Sequence, residues 1–347
     1  MSSKGLLERL ENGWQILIAE GYLLELERRG YLQSGGFIPE VVLEHPEIVR
    51  SVHREFVHAG TDVVQAFTYY GHREKLRSIG REDDLERLNR TALKIAREVA
   101  NETGILMAGG LCNSNIYDQD DLDSHEKVKA MFKEQVEWAV EEGADYIIAE
   151  TLAYYGEAKL ALEAIQLYGK GLPAVITLTC YVPNKTIDGL PIVEACRKLE
   201  ETGAAVVGLN CGRGPRTMLP TIKEIRKVCK GPIAALPVTF RTTEKCRTLV
   251  SLKDPETGKD VYPTNLHCVM CSRDDIKEFA EEAKAIGVSY VGLCCGNAPF
   301  YFREVAEVFG RKPGSCKYSP DESANSFVGK PTKYAERMKE FTRVDNI

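Results

Sequence analysis

Eight short apolar runs rich in Val and Ile recur along this chain, and no other feature narrows its fold so far. They read ILIAEG (16–21), VVQAFTYY (63–70), ILMAGGL (105–111), YIIAE (146–150), AVITLTC (174–180), VVGLNC (206–211), IAALPV (233–238) and YVGLCC (290–295). Such runs lack the polar alternation of a strand with one wet face, so each predicts a strand buried on both faces. Amphipathic helical patterns lie between them. Leu85, Leu88, Ala92, Ile95, Ala96 and Val99 share one stripe, and Val128, Met131, Phe132, Val136, Ala139 and Val140 another. Strand alternating with helix over eight runs predicts a (β/α)8 TIM barrel.

Glycine punctuates the pattern. Gly60, Gly143, Gly203 and Gly287 stand between a helical stretch and the next strand, in AGTDVV, EEGADYII, ETGAAVV and AIGVSYV, and suit the left-handed cap position. A doubly wound open sheet alternates in the same way, but no Gly-rich phosphate fingerprint follows the first run. A long insertion, roughly 239–273, precedes the last helix and strand and is expected over the barrel mouth. The barrel is therefore assigned to residues 1–310 and a carboxyl-terminal extension to 311–347, with a short helical pattern at KYAERMKEF and a candidate role in homo-oligomer contact.

Charge and cysteine usage exclude several function classes. The formal net charge is -6, and no Lys/Arg-rich run offers the footprint of a nucleic-acid binder. The opening MSSKGLLERLENGWQ has no apolar stretch of signal-peptide length, and no later segment is long and apolar enough for a bilayer, so a cytoplasmic protein with small-molecule partners is expected. Eleven cysteines, an odd number, argue for free thiols or metal ligands over a full disulfide framework.

In such a barrel the active site collects where the strands end. Cys211 closes the sixth run, and Cys294 with Cys295 the eighth, so three thiols come to one rim. Three thiolates bind zinc tetrahedrally with a fourth position open, and a substrate thiol entering it would be held as thiolate. Vicinal cysteines in an apolar strand can also be plain small buried residues. Glu20 and Glu150 end the first and fourth runs and suit an ammonium group on the substrate; the alternative is that they cap helices or pair with an Arg. Phe67, Thr68, Tyr69 and Tyr70 end the second run, where aromatic faces suit a cationic onium donor, with Phe37 as a second wall; core filling is the alternative. Cys268 and Cys271 form half of a zinc knuckle with no second half nearby, and read as loop thiols. His45, His53 and His58 fit neither a zinc-protease helix nor a triad, and read as surface or packing residues.

From about Leu6 to Glu307 these residues together resemble the homocysteine S-methyltransferase family, and within it the betaine-using branch. The matching segments are GLNC, GLCCG, LERRGYL and HPEIVRSVHREFVHAGTDVVQAFTYY. The resemblance implies a zinc barrel in which homocysteine sulfur binds the metal and takes a methyl group from glycine betaine, yielding methionine. By position it implies Cys211, Cys294 and Cys295 as zinc ligands and Glu150 at the substrate amino group. It also implies Tyr70 at the donor or the substrate-free metal, and Gly109 and Gly110 near the pocket. Gly21, Thr68, Tyr69 and Asn210 complete the candidate substrate-binding set, and Glu20 and Tyr70 join Glu150 as catalytic candidates.

The chain departs from the family at several points. Glu20-Gly21-Tyr22 replaces an Asp-Gly-Gly or Asp-Gly-Ala pattern, Phe37 stands where a Trp is characteristic, and Thr151 where a Tyr is familiar. The donor stays open among glycine betaine, S-methylmethionine, dimethylsulfoniopropionate and S-adenosylmethionine. Two rival readings are a non-catalytic zinc and thiol-binding barrel, and a lyase or hydrolase whose metal activates water.

Overall fold

The computed structural model describes residues 5–325 and 333. The eight apolar runs become eight parallel strands: β1 (Ile16–Ala19), β2 (Val63–Gln65), β3 (Leu106–Cys112), β4 (Tyr146–Leu152), β5 (Ala174–Leu178), β6 (Val206–Asn210), β7 (Ile233–Leu236) and β8 (Tyr290–Leu293). They close in sequence order, with Ile18 paired to Val63 on one side and to Gly292 on the other. Closure removes every sheet edge, and the helices outside bury the second face of each strand.

Eight helices form that outer ring: α1 (Pro46–Ala59), α2 (Leu85–Thr103), α3 (Leu122–Glu141), α4 (Tyr155–Tyr168), α5 (Ile192–Glu201), α6 (Pro215–Val228), α7 (Arg273–Ile286) and α8 (Pro299–Val308). The stripe read for α2 is its buried face, including Leu88, Ala92, Ile95, Ala96 and Val99. Gly60, Gly143, Gly203 and Gly287 have φ of 108°, 80°, 104° and 83°, as the junction pattern predicts. A chain with a side chain there would meet the left-handed penalty of about 1–2 kcal/mol.

Alternation along the strands sorts the barrel interior into layers. Ile16, Ile18, Val63, Leu106, Tyr146, Val206 and Tyr290 fill the lower part, and Leu6 from the amino-terminal helix Leu6–Glu11 packs against them. Tyr146 and Tyr290 share a hydroxyl hydrogen bond of 2.7 Å inside this apolar layer. At this lower end Arg311 donates to Asp62 Oδ2 and to the Gln15 carbonyl, both at 2.8 Å, tying the start of the extension to the feet of β1 and β2.

Two boundaries differ from the sequence pattern. The second run is strand only to Gln65, and Ala66–Tyr70 turns away over the mouth. The insertion between β7 and α7 holds the short 3-10 turns Leu249–Ser251 and Leu266–Val269 and the isolated antiparallel bridges Phe240–Met270 and Lys253–Asp260, and covers part of the mouth as expected. The KYAERMKEF pattern lies outside the described residues apart from Lys333.

Candidate active site and metal centre

One step above the apolar layer, the inward positions of the strands turn polar. The two-residue period that points Ile18, Val63, Ile148, Gly208 and Gly292 inward also points Glu20, Gln65, Glu150, Asn210 and Cys294 inward. These five come from five strands or their ends, are buried, and meet at the carboxyl-terminal mouth. Cys211 has the opposite parity. A φ of 55° just past β6 places it beside the others.

The three sulfurs lie within 4.8 Å of one another, and Cys211 Sγ stands 3.7 Å from Cys295 Sγ. Ligands at Zn–S lengths on a tetrahedron stand about 3.8 Å apart, so this spacing fits a thiolate-bound metal without rearrangement of the strands. Hydrogen bonds from Cys211 and Cys294 hold the Cys295 thiol well below its usual range, whereas Cys294, bonded to Cys211 and Cys295, is pushed up. Such a cluster gives up its remaining protons when a cation arrives. Glu20, Glu150 and Cys294 form a second group within the same 4.8 Å limit.

The two carboxylates differ in their partners. Glu150 accepts from Gln65 Nε2 at 2.5 Å and from Asn210 Nδ2 at 3.1 Å. Asn210 also reaches Thr151 Oγ1 at 2.8 Å, and its Oδ1 accepts from the Thr151 amide, so one side chain braces the whole end of β4. Among the described residues neither Glu20 oxygen has a hydrogen-bond partner, although the residue is only 2% exposed. A buried charged group left unpaired costs more than the roughly 1–3 kcal/mol of a neutral one, about as much as burying one Leu gains. Burial raises both carboxyls, Glu150 to about 8. An arriving ammonium would favour the ionised form of these two buried carboxyls, one braced and one unengaged.

Gly21 makes room for this arrangement. Its φ is 83°, and a Cβ there would lie 2.3 Å from the Cys294 carbonyl oxygen, so only glycine lets the end of β1 abut the cysteine pair.

Two connected cavities flank the thiols. The inner one is lined by Glu20, Gly21, Tyr22, Gln65 and Glu150 as well as all three cysteines. The outer one is lined by Phe37, Tyr69, Tyr70, Tyr181, Leu249 and Tyr262, and shares Cys211 and Cys295 with the first. Phe37, Tyr70, Thr151 and Cys211 all line the outer cavity, and all four are non-glycine residues with φ between 53° and 60°. Left-handed backbone is unfavourable for such side chains and concentrates where function requires it.

Other candidates stand elsewhere. Thr68 donates to the Gly110 carbonyl at 2.8 Å behind the cavity wall. Gly109 faces Ala139 of α3, where a Cβ would come within 2.6 Å, and Gly110 faces Thr68 at 2.9 Å. Cys268 is exposed and Cys271 buried, and neither joins a group of metal-ligand spacing among the described residues. His53 packs edge-on to Tyr22 with ring centroids 5.0 Å apart, and His45 similarly meets Tyr31. Sequence reasoning missed Gln65, Tyr181 and Tyr262. Gln65 carried a signal, as a polar residue inside a buried run; the two tyrosines carried none.

The sequence profile of the homocysteine S-methyltransferase family matches residues 19–309, which spans every strand but most of the first. The chain belongs to the homocysteine S-methyltransferase family. Within this family it is 34% identical to betaine–homocysteine S-methyltransferase 1 of Xenopus tropicalis, over 98% of this chain and 85% of that one. It is 33% identical to the S-methylmethionine–homocysteine S-methyltransferase of Pongo abelii, over 98% of this chain and 92% of that one. The metallated form of the homocysteine methyltransferase MmuM from Escherichia coli shares the fold, with a TM-score of 0.68 at 19% identity over 87% of this chain and 99% of that one.

Proposed function

We propose that this family member is a zinc-dependent S-methyltransferase that moves a methyl group from an onium donor, glycine betaine first among them, to homocysteine, forming methionine. The observation that carries the reading is the trio Cys211, Cys294 and Cys295, spaced for one tetrahedral ion, with all three lining the inner cavity and Cys211 and Cys295 lining the outer one as well. The three thiols would hold zinc, which when bound stabilises an incoming thiol as its thiolate.

The inner cavity suits the amino-acid end of the acceptor, with Glu20 and Glu150 facing its ammonium and Gln65 and Asn210 fixing Glu150. The outer cavity suits the donor. The acceptor's S–H proton leaves to water, its sulfur forms a bond to the methyl carbon, and the C–N bond breaks with its electron pair kept by nitrogen. Glycine betaine thus departs as neutral-headed dimethylglycine and needs no proton on the leaving nitrogen, which agrees with a donor cavity that among the described residues is lined by no carboxyl, imidazole or ammonium group. Anion and cation cancel along this path, so a cavity walled by Phe37, Leu249 and tyrosines favours the less charged transition state. Alignment of donor and acceptor supplies much of the rate.

The test is methionine formation by zinc-loaded protein from homocysteine with glycine betaine, dimethylsulfoniopropionate, S-methylmethionine and S-adenosylmethionine in parallel, read by mass spectrometry. Methionine from one donor is expected. Zinc-loaded protein that makes none from any donor overturns the reading. Cys294→Ala should lose bound zinc and activity while circular dichroism remains that of the folded barrel; full activity without metal would sink the zinc assignment.

A further inference from the structure

Two amide side chains interrupt the apolar stripes of the outer helices. Asn89 lies on the buried face of α2 among Leu85, Leu88 and Ala92, and Gln135 on that of α3 beside Phe132, Val136 and Ala139. They are 1% and 5% exposed, and neither lines either cavity. A buried amide is destabilising unless its groups are hydrogen bonded, so an amide in an apolar face implies a partner that needs it.

That partner is the carbonyl of Gly71. Asn89 Nδ2 donates to it at 2.6 Å and Gln135 Nε2 at 3.4 Å. Each amide nitrogen carries two hydrogens. The second from Asn89 goes to the Leu85 carbonyl at 2.8 Å, and the second from Gln135 to Asn89 Oδ1 at 3.3 Å, so all are used and one carbonyl joins the two helices. Gly71 closes the turn that carries Tyr69 and Tyr70 from the end of β2 to the cavities. Its amide donates to the Thr68 carbonyl at 2.8 Å, the Tyr70 amide donates to Cys112 Sγ at 3.2 Å, and Tyr70 has the left-handed φ of 58°. A Cβ at Gly71 would lie 2.9 Å from Leu88 Cδ2, so α2 abuts the turn directly. β2 stops at Gln65, so no strand ladder holds this segment. A strained turn persists only where its surroundings fix it.

We propose that Asn89 and Gln135 are positioning residues for methyl transfer: from the outer helices they fix the Gly71 carbonyl, and through it the placement of the Tyr69 and Tyr70 rings beside the thiols. The proposal rests on the methyl-transfer reading above. Tyr69 lines both cavities and Tyr70 the outer one, so a shift of this turn alters the alignment of donor and sulfur. The three cysteines stand elsewhere, just past β6 and β8. Misalignment of about 1 Å costs up to about a hundredfold in rate, even when its origin is far from the chemistry. Leu and Met would fill nearly the same volumes as Asn89 and Gln135, so packing does not account for the two amides.

The experiment uses zinc-loaded full-length protein and the volume-matched variants Asn89→Leu and Gln135→Met, read by steady-state kinetics and by hydrogen exchange. Asn89→Leu should lower kcat by about tenfold or more, and Gln135→Met, which removes the longer bond, by about threefold. Zinc content and the KM for homocysteine should stay as in the wild type. In both variants peptides covering 66–72 should exchange faster, while those of β3 and α2 keep their protection. Gln135→Met carries the test where Asn89→Leu does not fold. Wild-type kcat, or unchanged exchange over 66–72, overturns the proposal. So does a fall in kcat that comes with lost zinc or with faster exchange throughout the barrel, which marks a merely structural role. A wild type that makes no methionine from any donor sinks the methyl-transfer reading, and exchange over 66–72 alone then decides whether the pair holds the turn.

Discussion

Glu20 just past β1 and Glu150 on β4 face the same cavity, yet Glu150 has a hydrogen-bond donor at each oxygen and Glu20, among the described residues, has none. Burial, then the charge of Cys211, lifts Glu150 from an ordinary 4.5 to about 8, and Glu20 moves the same way. In the metal-free protein the folded chain therefore keeps protons across that window, whereas the unfolded chain releases them above about 4.5. More protons on the folded side means that stability is full at low pH and falls as pH rises towards 8. Melting temperatures of metal-free protein between these limits should decline more steeply for the wild type than for Glu20→Gln,Glu150→Gln; parallel slopes would refute the assignment. These carboxylates were legible because each ends an apolar run where a charge has no packing role. Tyr181 and Tyr262 were not, since only the closed barrel brings the loops after β5 and β7 over the same thiols.

At the scale of elements, the barrel depends on how closely neighbouring strands approach. A Cβ at Gly208 on β6 would lie 2.1 Å from the Ala234 carbonyl oxygen and 2.7 Å from its backbone nitrogen on β7. Backbone held in a ladder on both sides cannot give way as a side-chain tip can. Gly208→Ala should cost about 3 kcal/mol in urea unfolding, the upper part of the overpacking range; wild-type stability would show that the two strands can separate locally. All eight strands were legible from their apolar runs, because burial on both faces leaves a continuous signal. Strand ends were not. Ala66–Tyr70 continues the apolar pattern of β2 but follows a turn whose rings pack against the mouth.

For the whole molecule, chemistry and closure occupy opposite ends of the barrel. Arg311 joins the feet of β1 and β2 through Asp62, which also accepts from the Leu17 amide at 2.9 Å. Arg311 is partly exposed, so Arg311→Ala should lower stability by only about 1 kcal/mol and leave kcat/KM unchanged. A marked fall in kcat/KM would mean that the lower end communicates with the mouth. The sequence pattern placed this residue at the start of a separate arm, since ion pairs with residues some 250 positions away leave no local trace.

The four left-handed residues around the outer cavity bear on how the protein would change over generations. At Phe37, Tyr70, Thr151 and Cys211 the backbone favours Gly or Asn, while the cavity uses a ring, a hydroxyl or a sulfur. In a lineage released from selection for the reaction, backbone preference alone would govern these four positions. They would drift towards glycine and asparagine while the apolar strands stayed intact, so the fold would outlast the chemistry. Related sequences that keep the barrel but carry Gly or Asn at these positions are expected to form no methionine from homocysteine, which assay of their purified proteins checks.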